Sequence, residues 1–476
     1  MKDCCSDKKP DGGFDLLVIG AGSAGFSAAI TAAEDGANVA LIGHGTIGGT
    51  CVNVGCVPSK AMIRAVEIMH SATAASRFDG ITATAKVTDW AAVVRQKQAL
   101  VDDLRAAKYI DVLPNYDAVT YIEGAAQFQA DGSVLVNGQA IKAGKVIIAT
   151  GSHPHVPDIA GLEDIDWLDS STALELEVLP QSLMIMGGGY IGVELAQIFA
   201  RAGVKVTIVT RHGLLPNAEP EISTAMTGYF TDEGITVLDG LTYDRFNQTG
   251  GQVSLQTTQA GKPLAVTAER LLLTTGRAPN TDALALEVAG IKTNQRGGIV
   301  TDAQMRSNLA HVYAAGDVTG RDQFVYMAAY GAKIAAKNAI LDAGLTYDNS
   351  TMPAVVFSDP QVASVGLTEA AATAQGIETV TSVLPLEHVP RALAARDTRG
   401  LIKLVADKGS KKLLGAHILA PEGADSIQTV AMALKAGMTY DDLGAMIFPY
   451  LTTVEGLKLA AQTFEKDVAK LSCCAG

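Results

Sequence analysis

The sequence predicts an α/β protein with two Rossmann-like dinucleotide-binding domains and a C-terminal α+β domain. Two segments, FDLLVIGAGSAGFSAAI and SLMIMGGGYIGVELAQIFA, each place a G-x-G-x-x-G pattern between a short apolar run and a helical pattern. From residue 353 onward, strand-like and helical patterns alternate without such glycines. Because each glycine pattern lies where a buried parallel strand turns into a helix, the chain is expected to bind two nucleotides.

Composition narrows the classes of partner. The chain has 476 residues, of which 48% are hydrophobic and 18% charged, and this fits about three well-packed globular domains. A formal net charge of -13 argues against nucleic acid and anionic membranes, because no basic excess is present to neutralise phosphates. The longest apolar stretch is glycine-rich and carries Glu194, which argues against a membrane span. We therefore expect a cytoplasmic protein that binds small molecules or metal ions.

The first glycine pattern consists of Gly20, Gly22 and Gly25. The first glycine permits a tight turn, the second lets the backbone approach a pyrophosphate, and the third lets the helix pack on the strand. The next strand, NVALIG, ends at Gly43, where such folds usually carry an acidic residue for the ribose hydroxyls. The sequence therefore leaves the ribose contact unassigned.

The second glycine pattern consists of Gly187, Gly189 and Gly192. The strand after its helix, KVTIVT, is followed by Arg211 rather than by Asp or Glu. A cation at this position suits a 2′-phosphate, which favours NADPH over NADH. Arg211 could also be an ordinary solvated surface residue.

All the cysteines fall into close pairs: Cys4 with Cys5, Cys51 with Cys56, and Cys473 with Cys474. In a reducing compartment such pairs more often serve redox chemistry or metal binding, whereas cysteines used as small apolar residues would be scattered. Adjacent cysteines close only a strained disulfide, so the 473–474 pair is better suited to holding a metal ion. The 4–5 pair either captures metal or is dispensable.

The segment GTIGGTCVNVGCVPSK places Cys51 and Cys56 five residues apart. Pro58 fits the start of a helix, whose N-terminal dipole would favour a thiolate. Lys60, one helical turn beyond Cys56, could stabilise further negative charge nearby. Such a pair shortly after a dinucleotide site indicates an electron acceptor.

At this segment the chain resembles the flavoprotein disulfide reductases, the group that includes glutathione reductase and dihydrolipoamide dehydrogenase. The resemblance runs from about Phe14 to the C-terminus and rests on motifs that follow the family's order. These are the first glycine pattern, the Cys51/Cys56 segment, the ATG ending at Gly151, the second glycine pattern, the TTGR containing Gly276, and the AAGD ending at Asp317.

The resemblance implies FAD on the first glycine pattern, with Asp317 bonding the ribityl chain and a redox disulfide between Cys51 and Cys56 over the flavin. It also implies that Lys60 lies near the flavin N5 and pairs with Glu194. From the residues alone, these two charges could equally be unrelated. Further FAD contacts are implied at Gly45, Thr50, Ala126 and Val325, with Gly151 and Gly276 as further nucleotide-binding positions.

The resemblance also divides the chain into domains. Residues 1–13 are predicted to be a flexible N-terminal tail. The FAD-binding domain is predicted from 14–155 and 278–350, and the NADPH-binding domain from 156–277. Residues 351–476 are predicted to form a dimerisation domain that carries the terminal Cys-Cys tail.

One position departs from the family. Its C-terminal domain normally supplies a histidine acid/base to the other subunit's site, five residues before a glutamate. Five residues before Glu455, this chain has Tyr450. A phenol with a pKa near 10 is a poor base at neutral pH. Tyr450 could be only a packing residue, but the loss of the histidine indicates a substrate other than a disulfide.

Together, Tyr450, the FPYLT segment and the terminal LSCCAG resemble family members that reduce mercury(II). This very soft cation prefers two thiolates. We therefore expect Cys473 and Cys474 to collect Hg(II) from thiol complexes and pass it to Cys51 and Cys56 of the partner subunit of a homodimer. There, electrons from NADPH through FAD would release Hg(0).

Tyr190 and Tyr450 are predicted to flank the metal, although either could instead gate the nicotinamide or pack an interface. Two other function classes stay open. A general disulfide oxidoreductase shares the nucleotide sites but has no use for LSCCAG. A non-catalytic protein that sequesters soft metals explains the cysteine pairs but not two nucleotide sites.

Overall fold

The computed structural model describes residues 13–470, which divide into two compact units. The first unit comprises residues 13–59, 94–155 and 276–348, and the second comprises 60–93, 156–275 and 349–470. The cysteine pairs at 4–5 and 473–474, and all but the last residue of the predicted N-terminal tail, lie outside the described residues.

The strands of the described chain are β1 (Phe14–Ile19), β2 (Val39–Gly43), β3 (Val119–Glu123), β4 (Ala126–Phe128), β5 (Val134–Val136), β6 (Gln139–Ile141), β7 (Ala143–Ile148), β8 (Ser152–Pro154), β9 (Trp167–Leu168), β10 (Ser182–Met186), β11 (Lys205–Val209), β12 (Thr236–Leu238), β13 (Leu241–Thr249), β14 (Gln252–Gln259), β15 (Lys262–Ala268), β16 (Arg270–Leu273), β17 (Arg277–Pro279), β18 (Val312–Ala314), β19 (Ala354–Val356), β20 (Gln361–Gly366), β21 (Thr379–Pro385), β22 (Leu401–Asp407) and β23 (Leu413–Ala420).

The helices are α1 (Ser23–Glu34), α2 (Gly49–Asn53), α3 (Cys56–Thr73), α4 (Trp90–Arg105), α5 (Ser170–Ala173), α6 (Tyr190–Arg201), α7 (Pro220–Asp232), α8 (Val325–Leu341), α9 (Glu369–Ala374), α10 (Pro390–Ala395), α11 (Gly423–Lys435), α12 (Tyr440–Ala445) and α13 (Glu455–Gln462). Between residues 13 and 470, none of them combines the length and apolarity that crossing a bilayer would require.

The first unit is built on a parallel sheet with the strand order β18-β7-β1-β2-β3. The central strand β1 is buried on both faces, as expected for a parallel sheet covered on two sides. Helices α1 and α8 pack on one face, and the small antiparallel sheet β4-β5-β6 covers the other. The loops after β1, β2, β7 and β18 therefore gather at one carboxyl edge, where ligands bind in open α/β sheets.

The second unit contains a parallel sheet with the order β12-β11-β10-β16-β9 and an antiparallel sheet with the order β19-β20-β23-β22-β21. The three-stranded sheet β13-β14-β15 packs against the parallel sheet in one apolar core. Helices α11, α12 and α13 pack on the antiparallel sheet in a second core. These sheets confirm the predicted fold class, with two parallel α/β sheets and a C-terminal α+β region. The predicted domain boundaries stay a prediction.

A buried ion cluster ties the two parts of the second unit together. The Nζ of Lys403 on β22 lies 2.9 Å from Glu219, 2.9 Å from Glu221 and 3.0 Å from Glu369. Both Lys403 and Glu219 side chains are 2% exposed. Burial alone would raise the pKa of Glu221, but its hydrogen bond to Lys403, a backbone hydrogen bond and the charge of Lys403 together outweigh burial and lower the pKa. The cluster is stable only as a set, because a buried charge without its partner is costly.

We predict that Lys403→Met lowers the free energy of unfolding by about 3–5 kcal/mol, since it leaves the Glu219 carboxylate buried without its cation. Denaturant unfolding monitored by circular dichroism measures the change. Lys408→Met is the matched control, because Lys408 forms an exposed pair with Glu378 at 2.6 Å and should cost less than about 1 kcal/mol. Equal losses in the two variants would contradict the prediction.

Candidate functional site

The first glycine turn links β1 to α1 at the carboxyl edge of the first unit. Gly20 has φ +118°, and a Cβ there would overlap the carbonyl oxygen of Ala149. A Cβ on Gly25 would overlap the carbonyl oxygen of Gly20. Helix α1 begins at Ser23 with Gly22 as its N-cap, and no side chain caps this end. The first-turn N–H groups thus form a cradle suited to a phosphate.

The cysteine segment docks beside this turn. The backbone N–H of Gly48 donates to Ala21 at 2.9 Å, and Gly22 forms a parallel bridge with Gly48. The Asn53 amide donates to the carbonyls of Ile47 and Gly49, each at 2.9 Å, which stabilises the loop from within. These contacts hold the glycine-rich loop that leads into α2 against the phosphate cradle.

The structure places Cys51 in the short helix α2 and Cys56 as the first residue of α3, and both are partly buried. A helix N-terminus favours the thiolate over the thiol, so Cys56 is in the place where a nucleophilic or metal-binding sulfur is expected. Two thiolates at this spacing can give up two electrons as a disulfide forms, or hold one soft cation.

Sequence reasoning missed Tyr109. Its hydroxyl lies 3.0 Å from the Ser23 hydroxyl at the start of α1, and its ring packs edge-on against Phe26 with centroids 4.9 Å apart. Burial raises the pKa of Tyr109, and the charges of Cys51 and Cys56 raise it further, so the phenol lies within electrostatic reach of both sulfurs. Tyr109 belongs to a π-helical turn after α4. Such turns are frequent at functional sites but leave no clear periodicity in the sequence.

Asp317 follows β18 at the same carboxyl edge. Its carboxylate accepts a hydrogen bond from the Ser152 hydroxyl at 2.7 Å, and that hydroxyl accepts one from Arg277 Nε, also at 2.7 Å. Arg277 Nη2 donates to the Ser152 carbonyl at 2.6 Å. A Cβ on Gly316 would lie 3.2 Å from the Cβ atoms of Ala24 and Ala328, so Asp317 stands where α1 and α8 converge. Ser152 and Arg277 are positioning residues that the sequence did not single out for this carboxylate.

The remaining positions predicted to contact FAD or to bind a nucleotide also lie in the first unit. Gly151 has φ +73° in the turn after β7. Asn280 stabilises that turn, because its side-chain amide donates to the Thr150 carbonyl and its backbone N–H donates to the Gly151 carbonyl. The others occupy the loop after β2, helix α2, the start of β4, the first residue of α8 and the turn before β17: Gly45, Thr50, Ala126, Val325 and Gly276.

The second glycine turn repeats this construction between β10 and α6. Gly187 has φ +118°, and a Cβ there would lie 2.5 Å from the Thr274 carbonyl oxygen. A Cβ on Gly192 would overlap the carbonyl oxygen of Gly187. Helix α6 begins at Tyr190 with Gly189 as N-cap and without a side-chain cap. The second unit therefore also presents a cradle suited to phosphate.

Arg211 lies at the carboxyl end of β11, where the ribose of a nucleotide on this cradle is expected. It is exposed, yet its guanidinium stacks over the Tyr243 ring at 5.1 Å. The Tyr243 hydroxyl donates to the Val209 carbonyl at 3.1 Å, and burial raises the pKa of Tyr243 to about 12. The ring is thus a fixed, neutral platform beneath the cation. Tyr243 comes from β13, and no sequence signal links it to Arg211.

The structure brings Lys60 and Glu194 together. Lys60 Nζ lies 2.7 Å from Glu194 Oε2 and 5.0 Å from the centroid of the Phe357 ring. The other carboxylate oxygen of Glu194 accepts the Phe357 backbone N–H at 2.9 Å. Glu194, which is 6% exposed, thereby anchors α3, α6 and the segment after β19 at one point.

Both predicted tyrosines are exposed on the second unit, Tyr190 at 38% and Tyr450 at 57%. Although part of the Tyr190 side chain is exposed, neighbouring residues shield its phenol from water, which raises its pKa, and a hydrogen bond with Ser364 partly offsets this rise. The buried Glu455 carboxylate accepts the Leu451 backbone N–H at 3.1 Å. Glu455 therefore holds the loop that presents Tyr450, in place of orienting a histidine. The roles predicted for all these site residues stay predictions.

Two family models match the chain. Residues 14–335 match the pyridine nucleotide-disulphide oxidoreductase model, and residues 352–461 match the dimerisation domain of the same family. Together they cover nearly all of the described residues.

Known relatives match over almost the whole length. The chain is 47% identical over 470 residues to a mercuric reductase from Streptomyces lividans, covering 98% of this chain and 99% of that protein. It is 45% identical over 471 residues to a mercuric reductase from Staphylococcus aureus, covering 99% and 86%. The solved structure of the HOCl-induced flavoprotein disulfide reductase RclA from Escherichia coli is similar, with a TM-score of 0.83 and 32% identity, covering 94% of this chain and 99% of that one.

We predict that Glu194→Gln lowers the free energy of unfolding by about 1 kcal/mol, because one charge-assisted hydrogen bond to a partly exposed lysine is lost. Thermal unfolding measures the effect. Glu67→Gln is the control, since Glu67 pairs with Arg64 at 2.7 Å on the exposed side of α3 and should change the midpoint little. A control variant as unstable as Glu194→Gln would argue against a special role for the buried pair.

Proposed function

The chain belongs to the pyridine nucleotide-disulphide oxidoreductase family, and from this premise we propose that it reduces mercury(II) to elemental mercury with electrons from NADPH. The net reaction is Hg(II) + NADPH → Hg(0) + NADP⁺ + H⁺, in which the hydride supplies both electrons. The observation that carries the proposal is the cysteine pair docked against the first phosphate cradle, with Cys51 in α2 and Cys56 at the N-terminus of α3. The substrate is supported by two relatives named mercuric reductase at 45% and 47% identity.

Family membership implies the use of a flavin and a pyridine nucleotide. We assign FAD to the first unit, held by the cradle at the start of α1 and by Asp317. We assign NADPH to the second unit, held by the cradle at the start of α6, with Arg211 on the 2′-phosphate. When bound, the flavin supplies two-electron transfer between the nicotinamide and the cysteine pair.

The protein's own residues bind and position the metal. The dipole of α3 keeps Cys56 as thiolate, and Cys51 on α2 supplies the second sulfur. Two thiolates satisfy the near-linear coordination of a very soft cation without any further protein ligand. Lys60 follows Cys56 by one helical turn on α3, and we propose that its charge, partly offset by Glu194 at 2.7 Å, favours the anionic, reduced state of the sulfurs.

In this proposal, the phenols of Tyr190 and Tyr450 form neutral hydrogen bonds, and no residue takes the part of the histidine acid/base that the family normally uses. With a raised pKa, Tyr190 stays protonated at neutral pH, and a phenol cannot take a proton from a dithiol as a histidine can. We propose that both phenols contact the metal's incoming ligands and help displace them. A disulfide substrate, which needs a general acid/base, is not favoured by this arrangement.

Delivery of the metal is assigned to Cys473 and Cys474, which lie outside the described residues. The match of residues 352–461 to a dimerisation domain indicates a dimeric family architecture. We propose a homodimer in which this pair takes Hg(II) from external thiols and passes it to Cys51 and Cys56 of the partner subunit by thiol exchange.

The experiment that tests the proposal is Hg(II)-dependent NADPH oxidation in excess thiol, with volatile mercury measured in parallel. We predict that Cys473→Ala/Cys474→Ala lowers the rate on the order of tenfold or more, because the tethered pair provides a high local concentration of metal. Cys4→Ala/Cys5→Ala is the matched control and should retain the rate if that pair is dispensable. Cys51→Ser should abolish mercury release.

NADPH consumption that does not depend on mercury, or that needs a disulfide substrate, would overturn the proposed substrate. Mercury release that survives in Cys473→Ala/Cys474→Ala at the full rate would overturn the delivery role alone.

Nucleotide preference gives a separate prediction. Arg211→Ala should raise the KM for NADPH about tenfold or more, since a charge-assisted hydrogen bond to the 2′-phosphate is lost, and should leave the KM for NADH nearly unchanged. Steady-state kinetics with both nucleotides measures the split. Arg245→Ala, which removes another exposed arginine two residues from Tyr243, is the control. An equal change for both nucleotides would contradict the assignment.

A further inference from the structure

The end of β2 lacks the acidic side chain that usually binds the ribose of a dinucleotide. Gly43 is the last residue of β2 and is buried. The two residues that follow the strand position, His44 and Gly45, are exposed. A nucleotide bound at the start of α1 would therefore find no side chain at position 43, where a carboxylate normally accepts hydrogen bonds from the ribose hydroxyls.

A tyrosine from the neighbouring strand fills the space that a side chain at position 43 would take. Strand β3 runs parallel to β2, with Leu41 opposite Tyr121 and Gly43 opposite Glu123. Residues two apart on a strand share a face, so the Tyr121 ring can reach along that face toward Gly43. A Cβ on Gly43 would overlap the Tyr121 hydroxyl oxygen and would lie 2.6 Å from Cε2.

The Tyr121 ring is anchored by packing within the first unit. Tyr121 is partly buried and packs against the apolar core beneath α1 and α8. The strand ends around it are tied by the Gly124 N–H, which donates to the Gly43 carbonyl at 2.7 Å. A phenol held in this way loses little conformational freedom when it forms a hydrogen bond.

Glycine at 43 and tyrosine at 121 thus depend on each other. Any side chain at position 43 would force the Tyr121 phenol out of its place. Glycine at position 43 supplies no hydrogen-bonding side chain of its own, so the Tyr121 phenol is the group that occupies this space. A phenolic hydroxyl can both donate to and accept from a sugar hydroxyl. We propose that Tyr121 replaces the missing carboxylate and binds the adenosine ribose of FAD. This inference rests on the proposed assignment of FAD to the first unit.

The test is FAD affinity rather than turnover. The full-length protein is freed of flavin and titrated with FAD and with FMN, which lacks the adenosine, while flavin fluorescence is followed. Tyr121→Phe should weaken FAD binding about fivefold, the loss expected for one hydrogen bond, and leave FMN binding unchanged. Equal weakening of both flavins would mean that the substitution disturbs the unit as a whole and would overturn the proposal.

A reciprocal exchange sharpens the test. Gly43→Glu alone should weaken FAD binding because the new side chain clashes with the phenol. Gly43→Glu combined with Tyr121→Val should recover much of the affinity, because a carboxylate then takes over the ribose contact. Failure of the double variant to improve on the single Gly43→Glu change would overturn the idea that the two positions substitute for each other.

Two controls locate the effect. Tyr116→Phe removes another hydroxyl of the same unit, which lies 3.3 Å from Glu34, and should leave FAD affinity unchanged. Glu123→Gln tests the nearest carboxylate on β3; weaker FAD binding there, with wild-type binding in Tyr121→Phe, would overturn the proposal in favour of Glu123. FAD binding as tight in Tyr121→Phe as in the wild-type protein would also overturn the proposal. Tight FAD binding by the wild-type protein without mercury release would instead count against the proposed function.

Discussion

The first unit depends on one close approach, the passage of the β1–α1 turn across the end of β7. Only glycine fits at position 20, because a Cβ there would overlap the Ala149 carbonyl oxygen. The tight turn aims the uncapped start of α1 at the carboxyl edge of the sheet. The bridge from Gly22 to Gly48 then places the cysteine segment against the same turn. The positions of the phosphate cradle and of the cysteine segment thus both depend on this steric constraint.

The second unit uses the same turn but is consolidated by buried charge. Glu194 sits on the helix that opens with the second glycine turn, and it receives both Lys60 and the Phe357 backbone. Arg201, the last residue of the same helix, forms ion pairs with Glu233 at 2.7 Å and with Asp359 at 2.9 Å. Such pairs are sensitive to the removal of one partner, so they set the relative positions of α3, α6 and the C-terminal sheet.

Tyrosine recurs around the candidate site, and at two positions it stands where related chemistry would use an ionisable group. Tyr450 stands where a histidine acid/base is expected, and Tyr121 lies over the position where an acid is expected. Tyr243 carries Arg211 on its face, and Tyr109 lies within electrostatic reach of both cysteines. Neutral phenols bind and orient without taking protons at neutral pH. This fits the proposed function, in which sulfur holds a soft cation and ligand exchange matters more than proton transfer.

The sequence by itself determined both glycine turns and the Cys51/Cys56 pair, because each depends on residues within one short segment. The order of these segments along the chain determined the fold class and the family. A strand, a turn and a helix start are local, and so is a spacing of five residues. Tertiary structure alone decided which distant side chains complete the site: Ser23 with Tyr109, Ser152 with Asp317, Arg211 with Tyr243, and Gly43 with Tyr121. These contacts join residues tens to well over a hundred positions apart. No local pattern encodes them, since each partner is brought to the sheet edge by the packing of a separate element.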